Sequence, residues 1–340
     1  MRPGHDTHEP DLRVALLALR EGDLGAAEAI ARRLLHTKPD DPAVHQLAAV
    51  IALQQGDTGQ AVRSAAASLA RRPDHVPTLV IAGRAARASD DVAGAAAFFR
   101  RAAALAPDRA DAAFLTCVTL LELGDPEAGT LLPLLLDRFP DDGEGWRLLG
   151  AALQRADQPA AALVAFTRAT YTMPSLALHL RRGMLLESLG RLAEAADAYR
   201  AAADHASDSG EAMLKLGMCL RRMSDTERAA VALERAVALA PDNNDAWFAA
   251  GLVRQDQREF GSAADAYRHA LELQPDLAEA AVNLGICHQE NGDMAAAKTA
   301  YRLALKLRPD TFGRVAQALA AAPMGEVWLD LAALRHSLAG

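Results

Sequence analysis

Apolar and small residues along this chain recur with a helical period, and the pattern itself repeats. In the segment DAWFAAGLVRQDQREFGSAADAYRHALELQPD, residues 245–276, Trp247, Ala250, Gly251 and Arg254 mark one helical face. A short polar break comes next. Ala263, Tyr267 and Ala270 then mark a second face, and Pro275 stops it. The pattern predicts a helical hairpin in which Gly251, Ala263 and Ala270 let two backbones approach, while Trp247 and Tyr267 fill the wider gaps.

The same stop recurs at Pro39-Asp40, Pro73-Asp74, Pro107-Asp108, Pro140-Asp141, Pro174-Ser175, Ser207-Asp208, Pro241-Asp242, Pro275-Asp276 and Pro309-Asp310. The spacing is about 34 residues, which predicts about nine hairpins. Proline blocks continuation of the second helix, and aspartate can cap the next one. Between the helices of a hairpin, Gly22-Asp23, Gly56-Asp57, Gly124-Asp125 and Gly292-Asp293 supply the turn, glycine for a left-handed C-cap and aspartate for the next N-cap. A pair this short cannot bury its faces alone, so neighbours must stack on it.

The order of Trp, a Leu-Gly-like pair, Ala, an aromatic, Ala and Pro, at this period, resembles the tetratricopeptide-repeat pattern. The resemblance implies an all-α, right-handed superhelical solenoid. Residues 1–9 read as a flexible lead, 10–310 as the repeat array and 311–340 as a non-repeat C-terminal cap. In that tail, Thr311 to Ala322 predict a helix, Pro323-Met324-Gly325 a break, and Gly325 to Gly340 a short extended piece and then a helix capped by Asp330.

The match is uneven. Gly83, Gly150, Gly217, Gly251 and Gly285 hold the close-approach position of the first helix, with Phe99, Phe166, Leu233, Tyr267 and Tyr301 in the second. In the first two units Ala15 and Ala49 replace the glycine and Ala31 and Ala65 the aromatic, which predicts tighter, less regular packing there. The fourth unit is one residue short, and Pro133 falls inside its second helix, where it removes a backbone hydrogen bond and predicts a kink. Its leucines, Leu131, Leu132, Leu134, Leu135 and Leu136, cover more than one face. They read either as extra packing around a bend or as a docking ridge.

Composition narrows the function. The formal charge of −8 argues against an electrostatic reader of nucleic acid. Arginine greatly outnumbers lysine, which points to a GC-rich, bacterial genome. No stretch is long and apolar enough to span a bilayer, and the amino-terminal residues do not read as a signal sequence, so the expected location is the cytoplasm. Cys117, Cys219 and Cys287 are odd in number and widely spaced, and predict buried free thiols. His5, Asp6, His8 and Glu9 lack the fixed geometry of a metal site. There is no phosphate-cradling loop, zinc spacing, HExxH or nucleophile elbow, so neither an enzyme nor a cofactor is expected.

In the resembled family, a second stripe of each first helix lines a concave groove that holds peptides. Here that stripe holds Arg84, Arg87, Phe114, Val118, Arg147, Gln154, Met184, Met218, Arg221, Phe248 and Leu252, with Arg181 and Lys215 one place away. The arginines have two readings: carboxylate pairing across repeats, or capture of an acidic segment. Neither the lysine–asparagine clamp of the chaperone-binding members nor the asparagine ladder of the O-linked sugar transferases is present. Leu12, Leu16 and Leu47 stand where the clamp would be, and Asn283 alone matches the ladder. The expected function is a non-catalytic scaffold or adaptor for a protein partner. The alternatives are a self-assembling structural protein, which would be a homo-oligomer, and a regulatory or assembly subunit of a separate enzyme.

Overall fold

The computed structural model describes residues 9–321, and every element among them is helical. The chain divides into two compact units, residues 1–173 and 174–340. In the first, α1 (Glu9–Glu21) pairs with α2 (Leu24–Thr37), α3 (Pro42–Gln55) with α4 (Thr58–Arg71), and α5 (Val76–Ala88) with α6 (Val92–Leu105). Two more pairs complete it: α7 (Ala110–Glu122) with α8 (Glu127–Arg138), and α9 (Gly143–Arg155) with α10 (Pro159–Thr172). The second unit contains α11 (Leu176–Ser188) with α12 (Leu192–His205), α13 (Gly210–Arg222) with α14 (Thr226–Leu239), α15 (Asn244–Asp256) with α16 (Phe260–Leu273), and α17 (Ala278–Glu290) with α18 (Met294–Leu307). A 3-10 turn, Pro309–Thr311, leads into α19 (Phe312–Ala321). The expected closing helix after Asp330 and the polar lead before Glu9 lie outside the described residues.

Each hairpin closes through a residue in the left-handed region. Gly22, Gly56, Gly124, Gly190 and Gly292 have φ between 67° and 83°, and Asp90, Asp157, Ser224 and Arg258 occupy the same place with φ between 53° and 64°. The next residues cap the second helix: Asp23 Oδ1 accepts from Ala26 N at 2.9 Å, and Asp57, Asp91, Asp225 and Asp293 act likewise.

The hairpins are held by one repeated contact. A glycine of the first helix lies against a large side chain sixteen positions later on the second, as in Gly83–Phe99, Gly150–Phe166, Gly217–Leu233, Gly251–Tyr267 and Gly285–Tyr301. Gly183–Tyr199 obeys the same interval but is masked in the sequence pattern, because its hairpin ends on Ser207 instead of a proline. The sixteen-residue interval is the signal that finds it. Where the large residue is tyrosine, its buried hydroxyl needs a partner. Tyr199, Tyr267 and Tyr301 donate to Glu187 Oε2 (2.6 Å), Gln255 Oε1 (2.9 Å) and Gln289 Oε1 (3.2 Å), each twelve residues earlier on the first helix.

Where alanines replace the large residues in the first two hairpins, clefts lie at their junctions with the next hairpin. Near α16, Tyr267 and Leu284 join one apolar cluster. The corresponding pairs are Ala31 and Ala48, and Ala65 and Ala82, and clefts of about 320 Å³ and 190 Å³ open beside them.

The fourth hairpin departs most. Pro133 lies inside α8, where Ala128 and Leu135 are the buried residues. Leu134 is exposed, and α7 packs directly against α9. Phe114 from α7 seats over Gly145, with its ring edge-on to Trp146 at 5.0 Å and 6.2 Å from Phe139.

Candidate functional site

The stripe predicted to meet a partner lies on the first helices, so it falls in two parts. Arg84 and Arg87 (α5), Phe114 and Val118 (α7), and Arg147 and Gln154 (α9) belong to the first unit. Arg181 and Met184 (α11), Lys215, Met218 and Arg221 (α13), and Phe248 and Leu252 (α15) belong to the second.

Two of these residues leave the surface. Phe114 is 1% and Val118 3% exposed. With α7 packed directly on α9, positions expected to form an apolar floor are spent on holding the helices together, so neither side chain can touch a ligand.

Three of the arginines already have carboxylates. Arg87 makes two bonds to Glu122, of 2.8 and 3.0 Å, and Arg155 reaches the same carboxylate at 2.9 Å, tying α5, α7 and α9 at their C-terminal ends. Arg147 forms a two-bond pair with Glu144, whose own pKa is held down by that hydrogen bond. Arg221 contacts Asp256 at 2.5 Å, and the neighbouring Arg222 reaches Glu187 at 2.6 Å. The cross-repeat pairs are separated by 33 to 35 residues, so pairing across repeats accounts for Arg87 and Arg221. Sequence reasoning missed Glu122, Glu187 and Asp256 as their partners. The available signal is an acidic residue one repeat from each late-helix arginine.

Among the described residues, the side chains of Arg181 and Lys215 make no hydrogen bond or ion pair, while Arg84 lies near enough to Asp111 to help hold that carboxyl's pKa down. Arg84 and Arg181 are exposed and Lys215 is half-buried. In the second unit these cations keep a register with the apolar positions. Arg181 and Lys215 are one repeat apart, as are Met184 and Met218, and the methionine ladder continues through Leu252. Met184 is 41% exposed, while Met218 and Leu252 are half-buried. Phe248 is half-buried as well, with its ring 5.7 Å from Tyr267. In the first unit, Gln154 is exposed: it stands where Gln255 and Gln289 accept a tyrosine hydroxyl, but its partner position is Phe166. The result is a row of flexible thioether and aliphatic side chains edged by unpaired cations, which suits a polypeptide segment.

The remaining chemistry is structural. Cys117, Cys219 and Cys287 are buried and free. Burial pushes the thiols of Cys117 and Cys287 up to about 12 and that of Cys219 up as well, away from nucleophilic use. Among the described residues, no group of three or more His, Cys, Asp or Glu side chains could hold a metal ion, and no helix is long and apolar enough to cross a membrane.

Two family models, both described as tetratricopeptide repeat, match the chain. One covers residues 18–79 and the other the overlapping spans 180–244, 214–254 and 248–311, together more than half of its length. No curated protein matches. Among solved structures, MamA from Desulfovibrio magneticus RS-1 (41-end) is 19% identical, with a TM-score of 0.47, covering 50% of this chain and 97% of that one. YrrB, described as a TPR protein with an unusual peptide-binding site, is 19% identical, with a TM-score of 0.48, covering 56% and 96%. The C-terminal part of a TPR repeat-containing protein from Cytophaga hutchinsonii is 14% identical, with a TM-score of 0.48, covering 61% and 83%.

Proposed function

The chain belongs to the tetratricopeptide-repeat family, and we propose that it is a non-catalytic protein-interaction scaffold whose first-helix face in the 174–340 unit holds a segment of a partner protein. The observation that carries this reading is the shared register of Arg181 with Lys215 and of Met184 with Met218. A partner side chain that meets one hairpin meets the same chemistry one hairpin later. The partner segment presents apolar side chains to the methionines and Leu252, and carboxylates to the two unpaired cations. Arg87, Arg147 and Arg221 take no part, because a ligand carboxylate would first have to displace Glu122, Glu144 or Asp256. Free buried thiols suit a reducing compartment, so the proposal places the chain in the cytoplasm.

Exposed ion pairs contribute about 0 to 1 kcal/mol each, so one charge reversal changes little and two in register change more. The test is capture from cells of the source organism, read by mass spectrometry, with wild-type chain and an Arg181→Glu/Lys215→Glu variant of equal helicity as baits. A partner held by the wild type, released by added salt and lost from the variant is the expected result. Identical protein sets on both baits would overturn the reading.

A further inference from the structure

We propose that Arg72, His75 and Arg109, at the junctions that join α4 to α5 and α6 to α7, form an anion site for a phosphoryl group, as a phosphorylated side chain or free phosphate presents it. The three residues belong to the 1–173 unit and the partner surface proposed above to the other, so the two readings stand or fall separately.

Two of these residues stand where a cap is expected and do not cap. The first helices α3 and α9 start on Asp41 and Asp142, whose carboxylates accept backbone hydrogens. At the same place α5 starts on His75 and α7 on Arg109, and neither makes a side-chain cap bond. A cation there opposes the helix dipole, so the exchange does not serve the two helices. The third cation, Arg72, lies three residues before His75, in a turn closed by His75 N donating to the Arg72 carbonyl at 3.2 Å.

A hydrogen-bond network around two fully buried hydroxyls, Ser68 and Thr78, fixes how Arg72 and His75 are presented. Ser68 Oγ donates to the Pro42 carbonyl at 2.7 Å. Arg72 Nη2 donates to Gln46 Oε1 at 3.2 Å, which orients that amide, and Thr78 Oγ1 gives its one hydrogen to the same oxygen, also at 3.2 Å. Thr78 can then only accept from His75 Nδ1, 2.9 Å away. The proton of the neutral ring therefore sits on Nδ1, and Nε2 is left open. Among the described residues, Arg72 meets only the neutral oxygens of Gln46 and Ser68; its Nε is buried without a partner and its Nη1 is open. Arg109 commits Nε and Nη2 to Asp111, at 3.0 and 2.7 Å, and keeps Nη1 open.

The charges around His75 leave it in need of an anion. Asp40 pairs with Arg71, Asp74 with Arg101 and Asp111 with Arg109, and Arg84 acts on Asp111 as well. The His75 pKa is held below the ordinary histidine value by burial first, then by the charges of Arg72 and Arg109. An anion on the open nitrogens of the two arginines reverses the last two causes, so His75 takes up a proton and its Nε2 becomes a third donor. Three donors match the three terminal oxygens and the charge of about −2 of a phosphate monoester, whereas a carboxylate offers two oxygens and one charge.

The test follows the His75 ring proton by NMR in the full chain, with each anion replacing chloride at constant ionic strength. N-acetylphosphoserine amide should raise the pH midpoint of His75, leave His269 of the other unit unmoved, and bind about fivefold more tightly near pH 6.5 than near pH 8.5. Its unphosphorylated form should do neither. Arg72→Gln should weaken binding at both pH values, and His75→Gln should leave weak binding that no longer depends on pH. Should Arg72→Gln disturb the buried network, Arg109→Gln, whose residue lies outside it, serves instead. Inorganic phosphate separates the sources. Tighter binding of the phosphoserine compound assigns the site to a partner's side chain, tighter binding of inorganic phosphate assigns it to the free ion, and both support a phosphoryl site. A His75 signal that neither compound moves rules the site out. So does acetate moving it as far, or a folded His75→Gln variant that keeps the pH dependence.

Discussion

Replacing Gly251 by alanine sets two effects against each other, and the geometry says which wins. Alanine is the better helix former by about 1 kcal/mol in a helix interior. The added Cβ, however, would lie 2.6 Å from Cε1, 2.8 Å from Cδ1 and 2.9 Å from Cζ of Tyr267. That ring is fully buried, and its hydroxyl is fixed on Gln255 at 2.9 Å, so it cannot slide away without losing a buried hydrogen bond. Overpacking of this kind costs about 1 to 3 kcal/mol. The single substitution should therefore destabilise the α15–α16 hairpin by up to about 2 kcal/mol once the propensity gain is subtracted. Tyr267→Ala alone should cost about 3 to 5 kcal/mol, as for other large aromatics cut to alanine in a core. In that background Gly251→Ala meets no ring, and its effect should change sign to a gain of up to about 1 kcal/mol. The double variant is the combination that Ala49 and Ala65 already present in the second hairpin. Stacked repeats do not unfold as one two-state body, so the readout is amide hydrogen exchange in α15 and α16. Greater protection in Gly251→Ala than in wild type, with Tyr267 present, would refute the argument.

Turn geometry and thiol burial predict two further outcomes. Arg258 has φ 64° and its side chain is exposed, so Arg258→Gly should stabilise the α15–α16 turn by about 0.5 to 1 kcal/mol, seen as slower exchange there, with smaller gains at Asp90 and Asp157 because aspartate tolerates that conformation. Faster exchange would show that the arginine side chain contributes something its exposure hides. The thiols of Cys117 and Cys287 should resist iodoacetamide in the folded chain at mildly alkaline pH and react once it is unfolded. Because burial raises their folded pKa to about 12, above an unfolded value of about 8.5, their contribution to stability is complete below about pH 8.5 and lost as pH climbs towards 12. Melting temperatures that stay level across that range would contradict it.

What could be read from the residues alone divides along a physical line. Hairpin existence, order and period arise from local signals: apolar spacing, stop prolines and the glycine that lets Tyr267 or Tyr301 approach. They were legible because each is encoded within one unit. Four turns without glycine were not, since Asp90, Asp157, Ser224 and Arg258 take a left-handed φ that their identity does not demand. The same division runs through the candidate surface. Met184 and Met218 could be placed by register, because exposure of a helix face is a local property. The pairing of Arg87 with Glu122 and of Arg221 with Asp256 depends on helix ends one repeat apart lying within a side chain's reach. That distance belongs to the stack, not to a unit.

Phe114 carries the argument furthest. Its place in the stripe, its size and its apolar character all favour a ligand contact, and nothing within α7 argues otherwise. What buries it is the next first helix, for α9 meets α7 directly, beside an α8 that is itself little buried. Gly145 then matters, because its missing Cβ is the space the Phe114 ring occupies, and Trp146 closes the contact edge-on at 5.0 Å. Part of the predicted stripe has thus become core. In the second unit Arg181 and Met184, from the same predicted stripe, stay exposed.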